Sequence, residues 1–491
     1  MGSVAQDSES IETRLFINGE FRPSTSNKTF PVVYPYTKEV VAQGPIPQYI
    51  VHEANEQDVD NAVTAANAAF PSWRDLGIDQ RAGYLRKLAD LLVESHAKLA
   101  QLETLCTGRP ISQFFDASFS ADQFRYFAEG GWNAQGTASL STPGLLSMTL
   151  KQPYGVAGLI IPWNFSLIAF AMKMAPALAA GNTVVLKSSE KAPLTSLYVA
   201  KLIAKAGFPP GVVNILSGFG NPAGSAIASH MLVRCLSFTG SSLTGQRVQT
   251  AAAKSNMKHV HLELGGKSPA VIFEDADLES AAAQTQFSVQ FNSGQVCVAN
   301  SRIYVQESVA DRFLQLFREK FAAVQIGDPL DPATTHGPQI DAIQYNRVKE
   351  YLAIGAKDGT RTVGDDAENG FFVRPTVFER VPEDSRLMRE EIFGPVVAIN
   401  TFSTEAEAIE KANNSDFGLY ASVFTKDVDR AVRLAKALEA GTVGVNCTSP
   451  TNAKDGAIGG LKMSGSGREG LLYSLDNFLE VKTVLIKTAP A

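Results

Sequence analysis

Five short apolar runs, separated by helix-forming stretches, occupy residues 156–264 and limit most strongly what this chain can fold into. The predicted strands are Val156–Ile161, Thr183–Leu186, Val212–Leu216, Val233–Phe238 and His259–Leu264. The predicted helices between them are Leu167–Ala180, Leu194–Ala206, Pro222–Ser229 and Leu243–Ala253. Continuously apolar strands that alternate with helices are typical of a parallel sheet covered on both faces. The pattern therefore predicts an α/β fold of the doubly wound type.

This first unit is Rossmann-like, and in such sheets ligands bind at the carboxyl ends of the strands. A second alternation begins after Gly265-Gly266 and predicts a second α/β domain. Its expected strands are Ala270–Phe273, Arg302–Gln306, Val396–Phe402, Ser422–Thr425 and Thr442–Asn446, with helices at Val309–Ala323 and Val428–Leu438. Two further strand-like segments, Leu145–Lys151 and Val481–Lys487, belong to neither unit and could pair with each other or with another subunit.

The composition excludes several classes of protein. The formal net charge is −6, so the chain lacks the basic surface that nucleic acid or an anionic membrane would require. No apolar run is long enough to span a bilayer, and the N-terminus lacks an apolar signal core, so we expect a cytoplasmic protein. The four cysteines are far apart without CxxC spacing, which predicts neither a disulfide framework nor a metal site.

Polar residues follow the predicted strands of the first unit. Lys187 ends the second strand and Glu190 follows it, where they could contact a ribose or a phosphate, although a solvated charge pair is the simpler explanation of these two residues alone. Gly240 and Ser241 connect the fourth strand to a helix, whose free N–H groups could bind a pyrophosphate. Gly218–Gly224 is also glycine-rich, but both glycine clusters could serve only the sterics of a turn.

Glu263 stands at the end of the apolar fifth strand, directly before Leu264 and two glycines. Partial burial would raise its pKa toward that of a general base. The alternative is a structural carboxylate that caps the glycine turn. His259 and His261 share a face of this strand, but no third ligand is evident, and we expect no metal.

Cys297 lies between two valines, a setting in which a cysteine is often only a small buried residue. The preceding polar segment Ser293-Gly294-Gln295 predicts a bend that brings the thiol to a cavity. We interpret the other cysteines, Cys106, Cys235 and Cys447, as core or accessory residues. Asn164, after the first strand, is either a turn residue or a donor to an oxyanion.

Taken together and in this order, these motifs closely resemble the aldehyde dehydrogenase superfamily, from about Leu15 to Lys487. The most specific motifs are Leu262-Glu-Leu-Gly-Gly-Lys-Ser-Pro269, Gly294-Gln-Val-Cys-Val-Ala299, Glu390-Glu-Ile-Phe-Gly-Pro395, Pro162-Trp-Asn-Phe165, Phe238-Thr-Gly-Ser241 and Lys462-Met-Ser-Gly-Ser-Gly-Arg-Glu469. The resemblance implies oxidation of an aldehyde to a carboxylic acid with NAD+, or with NADP+, through a thioester on the enzyme.

The resemblance also implies a role for each matching residue. Cys297 would be the nucleophile, Glu263 the general base, and Asn164 the side-chain half of an oxyanion hole completed by the N–H of Cys297. Glu469 would be an accessory carboxylate in proton relay, and Glu391 would bind the nicotinamide ribose. The implied cofactor-binding residues are Ile161, Trp163, Lys187, Glu190, Gly220, Gly224, Phe238, Thr239, Gly240, Ser241, Leu264, Glu391 and Phe393.

The same resemblance implies three domains and a homodimer or homotetramer. Residues 1–134 and 154–264 would form the dinucleotide-binding domain, and 265–474 the catalytic domain. Residues 135–153 and 475–491 would form a small β oligomerisation element.

The chain departs from the family pattern at several places. Ser166 and Ser188 replace common prolines, and Ala457-Ile458 stands where Pro-Phe is frequent. Ala169 and Met172 are smaller or more flexible than the residues often found there. We expect a roomy apolar mouth without one of its aromatic walls, and hence an apolar aromatic or medium-chain aldehyde that carries no carboxylate.

Three alternatives remain open at this point. An NADP+-linked semialdehyde dehydrogenase on the same fold would need a cation for the substrate's charge, and none is evident in the mouth segments. A structural protein on this scaffold would have lost Cys297 or Glu263, and a cofactor-free thiol esterase would not need the cofactor-binding residues. Glu190 favours NAD+, although Lys187 and Ser188 could tolerate the 2′-phosphate of NADP+.

Overall fold

The computed structural model describes residues 11–38, 50–364, 370–450, 453 and 456–489. The strands are β1 Leu15–Ile17, β2 Glu20–Arg22, β3 Thr29–Pro31, β4 Ile50–His52, β5 Ala138–Ser139, β6 Leu145–Pro153, β7 Val156–Ile160, β8 Thr183–Ser188, β9 Val213–Ser217, β10 Val233–Thr239, β11 His259–Glu263, β12 Pro269–Ile272, β13 Arg302–Gln306, β14 Thr360–Val363, β15 Thr376–Glu379, β16 Val396–Phe402, β17 Phe417–Gly418, β18 Tyr420–Phe424, β19 Thr442–Val445, β20 Leu461–Lys462, β21 Gly465–Ser466 and β22 Leu479–Lys487. The α-helices are α1 Glu56–Asp75, α2 Ile78–Glu94, α3 His96–Thr107, α4 Asp116–Gly130, α5 Ser166–Ala179, α6 Leu194–Ala206, α7 Ser225–Ser229, α8 Ser242–Lys254, α9 Leu278–Gln290, α10 Ala310–Ala322, α11 Ala342–Asp358, α12 Arg386–Arg389, α13 Glu405–Asn413, α14 Val428–Ala437 and α15 Leu471–Ser474.

The first sheet has eight strands in the order β2-β1-β9-β8-β7-β10-β11-β21. The five strands β7 to β11 are parallel to one another, as the sequence pattern predicts. Strands β1 and β21 pair antiparallel with the two outer strands of this group, β9 and β11. Strands β7, β8 and β9 are buried throughout, because helices cover both faces. The doubly wound, Rossmann-like arrangement is therefore confirmed.

Element boundaries in this sheet differ from the prediction by one or a few residues. Strand β8 runs on to Ser188, so Lys187 lies inside the strand rather than at its end. The helix expected from Pro222 begins as a wide turn at Gly220–Gly224 and continues as α7. The first difference arises because backbone pairing with β9 continues as far as Ser188, which lies opposite Ser217.

The second sheet has seven strands in the order β14-β15-β16-β13-β12-β18-β19. All neighbours are parallel except β14 and β15, which form an antiparallel pair at one edge. The predicted second α/β unit is confirmed, and its strands Arg302–Gln306 and Val396–Phe402 have the predicted bounds. Strands β14 and β15 were not predicted, since they are short and lack a continuous apolar run.

A third, three-stranded sheet has the order β22-β6-β5. Strands β6 and β22 pair antiparallel over their full lengths, from Leu145 opposite Lys487 to Pro153 opposite Leu479. Of the two pairings left open by the sequence, the structure contains the one within the chain. Side chains such as Val481 and Leu485 remain exposed on this sheet, at 64% and 62% of their surface.

The helices of the described residues include none that is long and apolar enough to cross a bilayer.

Candidate active site

Three neighbouring strands of the first sheet deliver the first part of the site. Strands β7, β10 and β11 lie side by side and parallel, with Ile160 in register with Phe238 and Thr239 in register with Glu263. The carboxyl ends of these strands consequently meet along one edge. Asn164 follows β7, Gly240 follows β10, and Glu263 is the last residue of β11.

The segment before Cys297 makes the sharp bend that the sequence predicts. Asn292, Ser293 and Gly294 have consecutive φ angles of 48°, 52° and 75°, in the left-handed region that is costly for the two non-glycine residues. A Cβ on Gly294 would lie 2.1 Å from the carbonyl carbon of Gly394, so only glycine fits there. The bend leaves Cys297 half-buried at the surface of a cavity.

The loop 337–340 holds this bend in place. The Ser293 hydroxyl donates to the carbonyl of Gly337 at 2.7 Å, and the Gln339 amide donates to the carbonyl of Ser293 at 3.1 Å. The N–H of Ile340 donates to Oε1 of Gln295 at 2.9 Å. Buried hydrogen bonds of this kind fix a backbone whose φ angles are otherwise unfavourable.

The thiol of Cys297 lies beside the carboxylate that ends β11. The Sγ of Cys297 donates to Oε1 of Glu263 across 3.4 Å. Burial raises the pKa of Glu263 to about 7, with a further rise from the charge of Glu469. Burial, followed by the charges of Glu263 and Glu391, raises the pKa of Cys297 well above its ordinary value. The thiol is thus protonated at neutral pH, beside a base that can accept its proton.

Asn164 lies beside the same thiol-bearing segment. Its side-chain Nδ2 donates to the backbone carbonyl of Gln295 at 3.1 Å. The backbone carbonyl of Asn164 accepts from Nδ2 of Asn292 at 3.3 Å. An amide nitrogen carries two hydrogens, so one remains for another acceptor. The structure therefore brings Asn164, Glu263 and Cys297 together, as the sequence predicts.

A buried lysine, Lys173, pairs with Glu469, which lines the cavity beside Cys297, and was missed by the sequence analysis. Its ammonium donates to Glu469 and, at 3.0 Å, to the hydroxyl of Ser237, which itself donates to Glu469 at 3.2 Å. Lys173 is the only charged residue in the apolar helix α5, and this was the signal that could have revealed it. The ammonium opposes the rise in the pKa of Glu263 that burial and Glu469 cause.

An apolar cavity of about 320 Å³ opens on one side of Cys297. Its apolar lining residues are Phe115, Phe119, Pro162, Phe165, Ile168, Ala169, Met172, Phe291, Val296, Val298, Leu419, Pro450 and Ile458. No lysine or arginine is among the described residues that line it. Ala169, Met172 and Ile458 all line this cavity, and the expectation of a roomier mouth stays a prediction. Phe115 and Phe119 of the α4 region supply aromatic surface that local motifs did not reveal.

A polar groove of about 430 Å³ opens on the other side of Cys297. Twelve of the thirteen predicted cofactor residues line it, namely Ile161, Trp163, Lys187, Glu190, Gly220, Phe238, Thr239, Gly240, Ser241, Leu264, Glu391 and Phe393. Gly224 does not, because it packs behind the groove against the stem of Lys187. Lining residues that the sequence analysis missed include Lys191, Thr244, Gln344 and Arg347.

The groove has the features that a dinucleotide needs. A Cβ on Gly240 would lie 2.6 Å from the ring of Phe238, so the absence of a side chain keeps the turn before α8 open. Ser241 caps α8 and accepts from the N–H of Thr244 at 3.4 Å, which leaves other N–H groups of the first turn for an anion. Glu391 is fixed at the far wall, where it accepts from the N–H of Gly266 at 3.0 Å.

Lys187 differs from a simple phosphate-binding lysine. Its Nζ donates to the carbonyls of Ser188 and Gly218, each at 2.7 Å, and burial lowers its pKa to about 8. These bonds fix the amine at the groove wall, where one donor hydrogen is left for a ligand.

The other three cysteines and His259 do not line the cavity or the groove. Cys106 and Cys235 are buried, as expected of core residues, whereas Cys447 is half-buried in the loop after β19. Among the described residues no group of three or more histidine, cysteine or acidic side chains could hold a metal ion. His259 instead packs against the ring of Tyr154 at 4.9 Å between centroids.

A doubly wound sheet, a dinucleotide-sized groove at its carboxyl edge and a thiol between that groove and an apolar cavity define a dinucleotide-dependent oxidoreductase. Residues 21–484 match the aldehyde dehydrogenase family. The chain belongs to the aldehyde dehydrogenase family, which uses NAD(P)+ to oxidise aldehydes.

Individual relatives support the same family assignment. Retinal dehydrogenase 2 of Homo sapiens is 46% identical over 486 residues, covering 97% of this chain and 92% of the relative. A mitochondrial aldehyde dehydrogenase of Homo sapiens is 45% identical over 490 residues, covering 98% and 93%. An indole-3-acetaldehyde dehydrogenase of P. syringae, solved in complex with NAD+ and IAA, superimposes with a TM-score of 0.94 at 38% identity, covering 98% and 97%. Because some relatives are named mitochondrial, the expected cytoplasmic location stays a prediction.

Proposed function

We propose that this chain is a hydrolytic aldehyde dehydrogenase in which Cys297 is the nucleophile, Glu263 the general base and Asn164 the oxyanion-binding amide. The observation that carries the proposal is the 3.4 Å contact between the thiol and the carboxylate. Both groups line the apolar cavity and the polar groove. An aldehyde in the cavity and a nicotinamide in the groove would therefore reach the same sulfur from two sides.

The first half of the reaction follows from this geometry. Glu263 accepts the thiol proton, and the sulfur of Cys297 forms a bond to the aldehyde carbon, which places negative charge on the aldehyde oxygen. The free N–H of the Asn164 amide and the backbone N–H of Cys297 donate to that oxygen. NAD+, when bound, supplies the acceptor for the hydride that leaves the aldehyde carbon, and a thioester on Cys297 results. Glu391 and Phe393 would hold the nicotinamide end of the cofactor.

The second half is hydrolysis of that thioester. Glu263, now free of its proton, removes a proton from water as the water oxygen attacks the thioester carbon, and the thiolate of Cys297 leaves. Glu469 and Lys173 lie behind Glu263 and exchange its proton with solvent. A base with a pKa of about 7 suits both proton transfers near neutral pH.

The substrate is an apolar aldehyde, aromatic or of medium chain length, that carries no carboxylate. The cavity supports this because stacked phenyl rings form one wall, with Phe165 and Phe291 5.8 Å apart at an interplanar angle of 17°. The competing semialdehyde dehydrogenase would need a cation for the second charge. The described lining contains none, and its acidic groups Glu263 and Glu469 would repel a carboxylate.

NAD+ is the preferred cofactor over NADP+. Glu190 lines the groove three residues after Lys187, where its carboxylate would accept from ribose hydroxyls and repel a 2′-phosphate.

The chain assembles as a homodimer or homotetramer through the third sheet, whose exposed apolar side chains a second copy would cover. We also retain the predicted division into domains, with the oligomerisation element contributed by 135–153 and 475–491.

The test is a panel of aldehydes assayed with both cofactors by the absorbance of NADH or NADPH. We expect the highest kcat/KM with aryl and medium-chain aldehydes and NAD+. A preference for a semialdehyde acid or for betaine aldehyde would contradict the substrate assignment. Equal efficiency with NADP+ would contradict the role of Glu190.

A further inference from the structure

Glu103, on α3, is a carboxylate with no exposed surface that lies between the first turns of two other helices. Its Oε1 accepts from the backbone N–H of Ser166 at 3.2 Å. Its Oε2 accepts from the hydroxyl of Ser166 at 2.6 Å and from that of Thr195 at 2.7 Å. Ser166 is the first residue of α5, and Thr195 is the second residue of α6. One carboxylate therefore joins three helices.

The surroundings explain why a buried carboxylate is stable here. The first N–H groups of a helix have no partner within the helix, and the helix dipole favours negative charge at that end. The guanidinium of Arg109 lies 3.9 Å from Glu103 and donates to Asp116 at 2.6 Å. Burial and the nearby charge of Asp116 raise the pKa of Glu103, while the charge of Arg109 and the hydrogen bonds from Ser166 and Thr195 oppose that rise.

The chain segment held by Glu103 is the one that carries the amide of Asn164, two residues before Ser166. From the opposite side, Asn292 donates to the carbonyl of Asn164 at 3.3 Å. Between them, the guanidinium of Arg109 lies 5.0 Å from the centre of the Phe165 ring. Residues 164–166 are thus fixed at both ends, and Ser166 provides two of the contacts.

We propose that Glu103 is a positioning residue for the oxyanion-binding amide of Asn164, and that it acts through Ser166. The inference rests on the proposed function, in which Asn164 donates to the developing oxyanion. A preorganised donor is effective only if it is held at hydrogen-bond distance from where the charge develops. The hydrogen bonds from Ser166 to Glu103 set the start of α5, and hence the place from which the Asn164 side chain extends.

A matched pair of variants separates this role from general stability. Ser166→Ala and Thr195→Val each remove one hydroxyl that donates to the same oxygen of Glu103, at nearly the same distance. We expect similar losses of Tm from the two variants. Ser166→Ala should lower the single-turnover rate of NADH formation about ten-fold, since small misplacements of a catalytic group are costly. Thr195→Val should leave that rate unchanged, and equal rates in the two variants would overturn the proposal.

A double-mutant cycle with Asn164→Ala supplies the second readout. Asn164→Ala alone should lower the rate by about 10²–10³-fold, as for loss of one oxyanion donor. In that background Ser166→Ala should have no further effect, because its only catalytic route is through the missing amide. An unchanged ten-fold loss would show that Ser166 acts independently and would overturn the positioning role alone. Full activity of Asn164→Ala would instead overturn the proposed function itself.

Glu103→Gln extends the test to the carboxylate. The amide keeps the shape of the side chain but replaces one acceptor oxygen with a donor, so it cannot accept both from the N–H of Ser166 and from the two hydroxyls. We expect a loss of rate at least as large as that of Ser166→Ala, with an unchanged Kd for NAD+. A loss of NAD+ affinity without a loss of rate would overturn the proposal.

Discussion

The apolar cavity and the polar groove share one wall but differ in chemistry. Both are lined by Pro162, Asn164, Thr239, Glu263 and Cys297, so the same strand ends and the same loop serve both. Beyond that wall, phenyl rings and aliphatic side chains line the cavity, whereas glycines, carboxylates and lysines line the groove. The difference teaches that an apolar and a polar ligand would bind on separate sides, while the shared wall holds the groups to which we assign the chemistry.

The largest expected effect comes from removing the sulfur in the shared wall. Cys297→Ala should lower kcat by roughly 10⁴–10⁶-fold, since loss of a covalent nucleophile removes the reaction path. Because the groove keeps its other residues, the Kd for NAD+ should stay unchanged, as measured by quenching of tryptophan fluorescence. Cys447→Ala is the matched control and should retain activity. Residual turnover near the wild-type level would contradict the assignment of Cys297.

Glu263→Gln alters the same wall but should separate the two halves of the reaction. Loss of a general base costs about 10²–10⁴-fold, and we expect this loss in thioester hydrolysis more than in hydride transfer. A pre-steady-state burst of NADH should therefore precede a slow steady state. Absence of a burst together with a normal steady-state rate would show that Glu263 is not the base for water.

The pH profile tests the shared wall in the unmodified enzyme. Burial raises the pKa of Glu263 to about 7, so below that pH the carboxyl is protonated and cannot accept a proton. The rate of hydrolysis should rise about ten-fold per pH unit up to about pH 7 and then level off. Measuring kcat from pH 5 to 9 checks this. In Glu263→Gln, kcat is expected to lose its rise with pH below about pH 7.

Ile458→Phe should affect the cavity without affecting the groove. The added ring narrows the mouth, so kcat/KM for bulky aryl aldehydes should fall about ten-fold, within the range expected for a change of size in an apolar pocket. The kcat/KM for acetaldehyde and the KM for NAD+ should change little. An equal loss for small and bulky aldehydes would indicate that the change acts elsewhere than on the cavity's shape.

Glu190→Gln should change cofactor preference in the groove without changing substrate preference in the cavity. We expect its effect to be the smallest of these variants. Removing the charge relieves its repulsion of a 2′-phosphate, so kcat/KM with NADP+ should rise by up to about ten-fold relative to NAD+. The order of preference among aldehydes should remain that of the unmodified enzyme. An unchanged cofactor ratio would mean that Glu190 does not select the cofactor.

The sequence predicted the two sides of the site unequally well. Nearly all of the predicted cofactor residues line the groove, because they stand in motifs of the family resemblance such as Phe238-Thr-Gly-Ser241, although Lys191, Thr244, Gln344 and Arg347 were missed. Much of the cavity was missed, because Phe115 and Phe119 belong to a region whose approach to Cys297 depends on helix packing. Lys173 was missed although a lone lysine in an apolar helix was a usable signal.

By itself the sequence determined the five parallel strands of the first sheet, their order along the chain and the doubly wound class, since hydrophobic periodicity and glycine turns are local properties of the chain. It also indicated which thiol, carboxylate and amide to consider. Only the tertiary structure decided that Asn164, Glu263 and Cys297 meet, that Gly224 lies behind the groove, and that Glu103 ties Ser166 to α3. The reason is that such contacts join residues far apart in the chain, whose distances are set by how the two sheets and their helices pack.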